Sequence, residues 1–239
     1  MGMNEGENER YDMLVNGDIR KVVPRLAVPT IISMMVSSIY NMADTYFVSR
    51  LGLAATAAVG VNDSLMMMLR AVAMGFGMGA SSYISRLLGA KKDEMACKVA
   101  TTSLFTAMSM SIVLLAVGTI FTEPLVMLLG STQTSKIYSM QYARFILLAA
   151  PFTSGEVVLS QLLRSEGSTQ YSMIGMTSGC VLNIALDPLF ISTFGLGVAG
   201  AAMATAISKV VGFCILLSPF LKKKTMLELK KKHFSPCRK

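Results

Sequence analysis

The chain has 239 residues, 53% of them hydrophobic and only 15% charged. A water-soluble domain usually carries about 25% charged residues, so the composition excludes an ordinary soluble fold and points to lipid as the solvent. The net charge of +8 is spread over loops and tails rather than over one folded face, which argues against a nucleic-acid partner.

Residues 1–20 form a polar tail. Six apolar stretches follow, at about 26–49, 55–87, 96–121, 137–163, 171–194 and 198–221. Each can cross the hydrocarbon, which takes roughly 20 residues of helix. Barrel strands would alternate in polarity, and runs such as SIVLLAVGTIF do not. Backbone groups in lipid must bond internally, so the expected fold is an all-α membrane protein, a bundle of six transmembrane helices spanning 21–221. The first stretch is too long for a signal-peptide h-region and lacks a compact cleavage site.

In the first span, Asp44 is the only side chain charged at neutral pH between Leu26 and Val48, and Pro29 stands near the entry. RLGLA leads to the second span, which holds Asp63 and Arg70, seven residues apart and near one face. There MGFGMGASS spaces Gly75, Gly77 and Gly79 for close helix packing. GAKKDEM joins spans two and three, and TEPLVMLLGSTQTSK, a longer loop with an apolar patch, joins three and four. Span four carries Arg144 and Glu156. SEGSTQ leads to span five, where Asn183 and Asp187 share a face in VLNIALDPLFI and Pro188 follows at once. FGLGVAG is a formal GxGxxG, but a membrane helix precedes it where the nucleotide fingerprint needs a strand; it reads as a tight turn. Span six carries Thr205 and Lys209, and residues 222–239 form a basic tail. Pro29 and Pro188 are hinge candidates, since proline removes a backbone bond.

The basic residues set the orientation. With six alternating helices, Arg10, Arg20, Lys21, Arg25, Arg86, Lys91, Lys92, Lys98, Arg164 and the C-terminal lysines share one side, while Arg50 and Lys136 lie on the other. By the positive-inside rule both termini are cytoplasmic. The four cysteines have no CxxC spacing and His233 has no cluster around it. No catalytic residue, cofactor site or metal site is expected from them, and an enzyme is not expected.

Depth then singles out a set of polar residues. At 1.5 Å per residue, Asp44 lies about 27 Å and Asp187 about 24 Å above the cytoplasmic end, and Thr205 about 10 Å below the outer surface. Asp44, Asn183, Asp187 and Thr205 thus fall in one layer. Two carboxylates, an amide and a hydroxyl suit either a hard cation such as Na⁺ or protons carried on the acids. An intramembrane carboxylate costs roughly 3 kcal/mol, so a cation that enters and leaves would explain its presence.

Taken in order, PTIISMMVSSIYNMADTYFVSRLG, GFGMGASSYISRLLGAKK, LLRSEGSTQYSMIGM, LNIALDPLFI and FGLGVAGAAMATAIS resemble the N-terminal lobe of the multidrug and toxic compound extrusion (MATE) transporters. The resemblance covers about residues 16–236. It implies an antiporter lobe in the plasma membrane, in bacteria the inner membrane, that exports amphipathic or cationic organic compounds and drugs against H⁺ or Na⁺. No other cofactor is implied. Carried over, the cation site is Asp44, Asn183, Asp187 and Thr205, and Tyr40 lines the substrate pocket. Glu156 is a further pocket candidate from its place inside a span. Family members have two such lobes; HFSPCRK resembles the start of the linker between them. A homodimer or a separately encoded second lobe is therefore an expected partner beside the lipid bilayer. The alternative is a membrane fragment or interaction module that does not transport.

Overall fold

A computed structural model describes residues 13, 17–222, 224–227 and 229. Arg10, Lys230, Lys231, Lys232, His233, Cys237, Arg238 and Lys239, and with them most of both tails, lie outside the described residues. The helices are α1 (Ile19–Ser49), α2 (Leu53–Gly89), α3 (Asp93–Ile120), α4 (Thr122–Leu128), α5 (Lys136–Ser165), α6 (Thr169–Pro188) and α7 (Gly197–Leu221). All but α4 are long and apolar enough to cross a membrane, and the described residues contain no strand. The expected all-helical, six-span fold is what is found.

The spans hold many hydroxyls, and the helix itself satisfies them. Ser33, Thr101, Ser111 and Ser208 each donate to the carbonyl four residues back, at 2.7–3.0 Å. In lipid such local bonds remove the cost of an unpaired polar group. The loop between α3 and α5 is more ordered than a loop with an apolar patch would be. TEPLVML is helical, and Thr122 and Val126 are buried. Two turns cannot cross a bilayer, so α4 rests against α5.

Helix α5 is the hub. Its most apolar stretch is 78% buried, against 11% for α1, and it packs against α2, α3 and α7 as well as α4 and α6. The apolar core around it is split in two. One cluster uses Val48, Leu65, Leu69, Ile146, Leu147 and Ala201; the other uses Ile84, Leu104, Leu159, Leu163 and Leu216. On α5 the first ends at Ala150 and the second begins at Val158. The buried residues between them include Thr153, Ser154 and Glu156. On α7 the same interval holds Thr205 and Ser208. A polar belt thus lies between two greasy ends.

The FGLGVAG turn has Gly195 at φ +64° and Gly197 at φ +55°, the left-handed region where a side chain is disfavoured. A Cβ at Gly200 would lie 2.7 Å from the Phe190 carbonyl oxygen. The motif is therefore a tight turn followed by close backbone contact. In MGFGMGASS only Gly77 meets a neighbouring helix, with Gln161 of α5 at 3.1 Å from a built Cβ; Gly75 and Gly79 face open space. Beyond α7 the chain folds back. Leu227 is fully buried in the second cluster and its N–H donates to Glu166 Oε2 at 3.2 Å.

Candidate functional site

Helix α6 places Asn183 and Asp187 one turn apart, both buried. In the amide orientation that satisfies both neighbours, Asn183 Nδ2 donates to Asp187 Oδ2 at 2.8 Å. Its Oδ1 then accepts from the Thr205 hydroxyl at 3.3 Å and the Thr205 N–H at 3.1 Å. Asparagine is the cross-tie between α6 and α7. From the other side α1 brings Tyr40 and Asp44, again one turn apart and buried. Asp44 is near enough for its charge to act on Asp187, and Asp63 acts in turn on Asp44. Tyr40 and Tyr142 of α5 both lie beside Thr205. The four residues picked out by depth are thus brought together, with Tyr40 beside them.

Two oxygens in this layer have no partner among the described residues: Asp44 Oδ1 and Asp187 Oδ1 are buried and make no hydrogen bond there. A buried carboxylate left ionised and unpaired is very costly, so it takes up a proton or a counter-cation. The free carboxylate oxygens and the remaining lone pair of the threonine hydroxyl suit a hard monovalent cation or a shared proton, with the Asn183 amide holding Asp187 and Thr205 in place. Depth reasoning did not name Tyr142 or Asn62. Tyr142 is buried in the same layer, and Asn62, fully buried on α2, has a free Oδ1 and donates to Ser139 O at 3.1 Å.

Glu156 lies elsewhere. Its Oε2 pairs with Lys209 Nζ at 3.1 Å, and the pair lines a cavity of about 340 Å³ between α1, α2, α5, α6 and α7. Gly212 makes room for it: a Cβ there would lie 3.0 Å from Glu156 Oε1. Asp63 and Arg70, which could have compensated each other directly, form no ion pair within 4 Å; Arg70 instead lines the cavity. Pro29 is buried within α1. Pro188 closes α6 and hands over to a π-helical turn, Leu189–Thr193, in which Phe194 N–H donates to Leu189 O at 3.0 Å.

A bundle of six helices long and apolar enough to cross a membrane, with a buried pair of acids among them, defines a polytopic membrane protein. The MatE family matches residues 29–189, and the chain belongs to that MATE family, whose members are transporters rather than enzymes. It is 30% identical over 233 residues to the multidrug export protein MepA of Staphylococcus saprophyticus, covering 97% of this chain and 52% of that protein. The MepA of Staphylococcus aureus strain MRSA252 is 31% identical over 234 residues, covering 96% and 51%. Among solved structures, a MOP superfamily transporter from Pyrococcus furiosus, described with a binding pocket of reversed polarity, superposes with a TM-score of 0.90 at 35% identity. It covers 100% of this chain and 52% of that one. An outward-facing multidrug resistance MATE family transporter matches with the same TM-score, identity and coverage. The chain spans about half the length of the relatives it matches.

Proposed function

We propose that the chain is a cation-coupled antiporter lobe of the plasma membrane that takes part in exporting amphipathic or cationic organic compounds and drugs. Asp44, Asn183, Asp187 and Thr205 form its coupling-ion site, for H⁺ or Na⁺. The observation that carries this reading is the pair of buried carboxylate oxygens on Asp44 and Asp187 without a partner among the described residues. Occupancy of that site by a cation offsets the cost of burial; its release leaves two acids repelling each other, which favours a second arrangement of the bundle. Tyr40 and Glu156 contact substrate, and Pro29 and Pro188 act as hinges. Both termini are cytoplasmic.

The relatives are about twice as long, so the lobe works together with a second lobe, whether a second copy of itself, a separately encoded lobe or one joined to it. Purified protein in liposomes, with a second lobe where one is found, is expected to move a cationic dye in response to a proton or sodium gradient. Asp187→Asn is expected to abolish that response. Equal, gradient-independent dye movement in both proteins would refute the coupling site.

A second reading is favoured by the half-length match alone: a membrane fragment or interaction module that does not transport. It predicts no drug resistance from the chain expressed singly and none gained on co-expression with a second lobe.

A further inference from the structure

The 340 Å³ cavity behind the acid layer has an unbalanced charge. Four charged side chains line it: Arg70, Glu156, Arg164 and Lys209. Glu156 and Lys209 answer each other at 3.1 Å. Two guanidinium groups remain. Arg70 makes no hydrogen bond and no ion pair within 4 Å among the described residues; Asp63, two turns away on the same helix and exposed, is near enough for the two charges to interact. Arg164 has only a serine hydroxyl, Ser172 Oγ at 3.3 Å from Nε, and a thioether, Met176 Sδ at 3.4 Å from Nη2. A guanidinium carries five donors, so most of those on both residues are unspent.

Position makes Arg70 the telling one. A lone Arg near a helix end can reach the interface with its long stem, and Arg164 sits in the last turn of α5. Arg70 stands near the middle of the 37-residue α2, about 25 Å of helix from either end, and cannot. A half-buried cation at that depth, facing a cavity, calls for a partner that the described residues do not supply. The guanidinium fork matches the two oxygens of a carboxylate or phosphate. Met34, Met74, Met176 and Val157 supply the apolar part of a wall that also holds serines, Thr153 and Gln161, and methionine is soft surface suited to an apolar body of variable shape. An organic cation would meet three like charges and one carboxylate already engaged.

The geometry points to a binding site for the acidic head of an amphiphile, a carboxylate or phosphate on an apolar body, with Arg70 and Arg164 as its receptors. This rests on reading the bundle as a carrier lobe, and it assigns this cavity to amphipathic compounds with an acidic head. The site is separate from the Asp44–Asp187 layer, so binding here needs no gradient and no intact coupling site.

Native mass spectrometry of the purified chain in a neutral maltoside tests it, with dodecanoate, dodecyltrimethylammonium of equal chain length and phosphatidylglycerol as probes. Saturable dodecanoate binding is expected, weakened about tenfold by Arg70→Gln or Arg164→Gln, as loss of a charged hydrogen bond worth 1.4 kcal/mol would give. Arg70→Lys should restore part of it, which a merely unfolded variant would not. Phosphatidylglycerol that displaces dodecanoate identifies a lipid head group as the natural source; failure to displace identifies a free amphiphile. Dodecyltrimethylammonium binding as tightly as dodecanoate, or unchanged dodecanoate affinity in Arg70→Gln, would overturn the assignment. Asp187→Asn should bind dodecanoate as the parent does, so a failed transport assay and a failed anion site are told apart.

Discussion

At the scale of single residues, the chain separates charges that are matched from charges that wait. Glu156 is buried and is matched by the part-buried Lys209, so removing the lysine strands the acid. Lys209→Met is expected to cost about 3–5 kcal/mol, and Glu156→Gln combined with Lys209→Met to recover most of it. Thermal unfolding of the parent, both single variants and the double variant in detergent checks this. Asp44 and Asp187 are the waiting kind, each with an oxygen that no donor among the described residues reaches. The residues of this layer were legible because helix rise is a ruler: topology and 1.5 Å per residue put them at one depth. The same ruler would have found Tyr142, six residues into an inward-running α5, but a search for charges passes over a phenol. Arg70 was not legible in this way. Its seven-residue spacing from Asp63 suggested a partner, and whether two side chains on one helix meet depends on the neighbours that draw them apart.

At the scale of elements, two departures have local causes. Pro188 ends regular α6 hydrogen bonding, and the chain takes a π turn before the glycine corner. Gly200 then lets α7 lie against that turn, so Gly200→Ala forces a Cβ to 2.7 Å from the Phe190 carbonyl oxygen. Backbone cannot yield as a side-chain tip can, and a loss of about 1–3 kcal/mol is expected. Gly79→Ala, with nothing within 4 Å, should be neutral or slightly stabilising in the same thermal assay. The hinge proposed at Pro188 has its own readout: amides of Leu189–Thr193 should exchange with deuterium faster than those of α6 and α7. The helical form of α4 was hidden because its apolar run is too short to announce a span, and two turns become stable only when packed on α5.

At the scale of the whole molecule, span length and the lack of alternation were enough to give an all-helical bundle. They could not say which helix is the hub. By mean hydropathy α5 is unexceptional among the six, yet it is the most enclosed, because lipid and protein core reward the same apolar side chains. Orientation is testable on the intact chain. In a background with its native cysteines replaced, Thr134→Cys between α4 and α5 should react with a membrane-impermeant maleimide on whole cells. Lys91→Cys, in the tight connection after α2, should react only after permeabilisation. The opposite pattern would invert the proposed topology.

The anchoring of Leu227 to Glu166 has a mechanical meaning. Residues just past α7 are clamped to the far end of the central helix, so a tilt of α5 drags them along instead of being absorbed by a slack joint. Any polypeptide continuing from there would feel the movement of the bundle as a pull with fixed direction, much as a tiller feels the rudder.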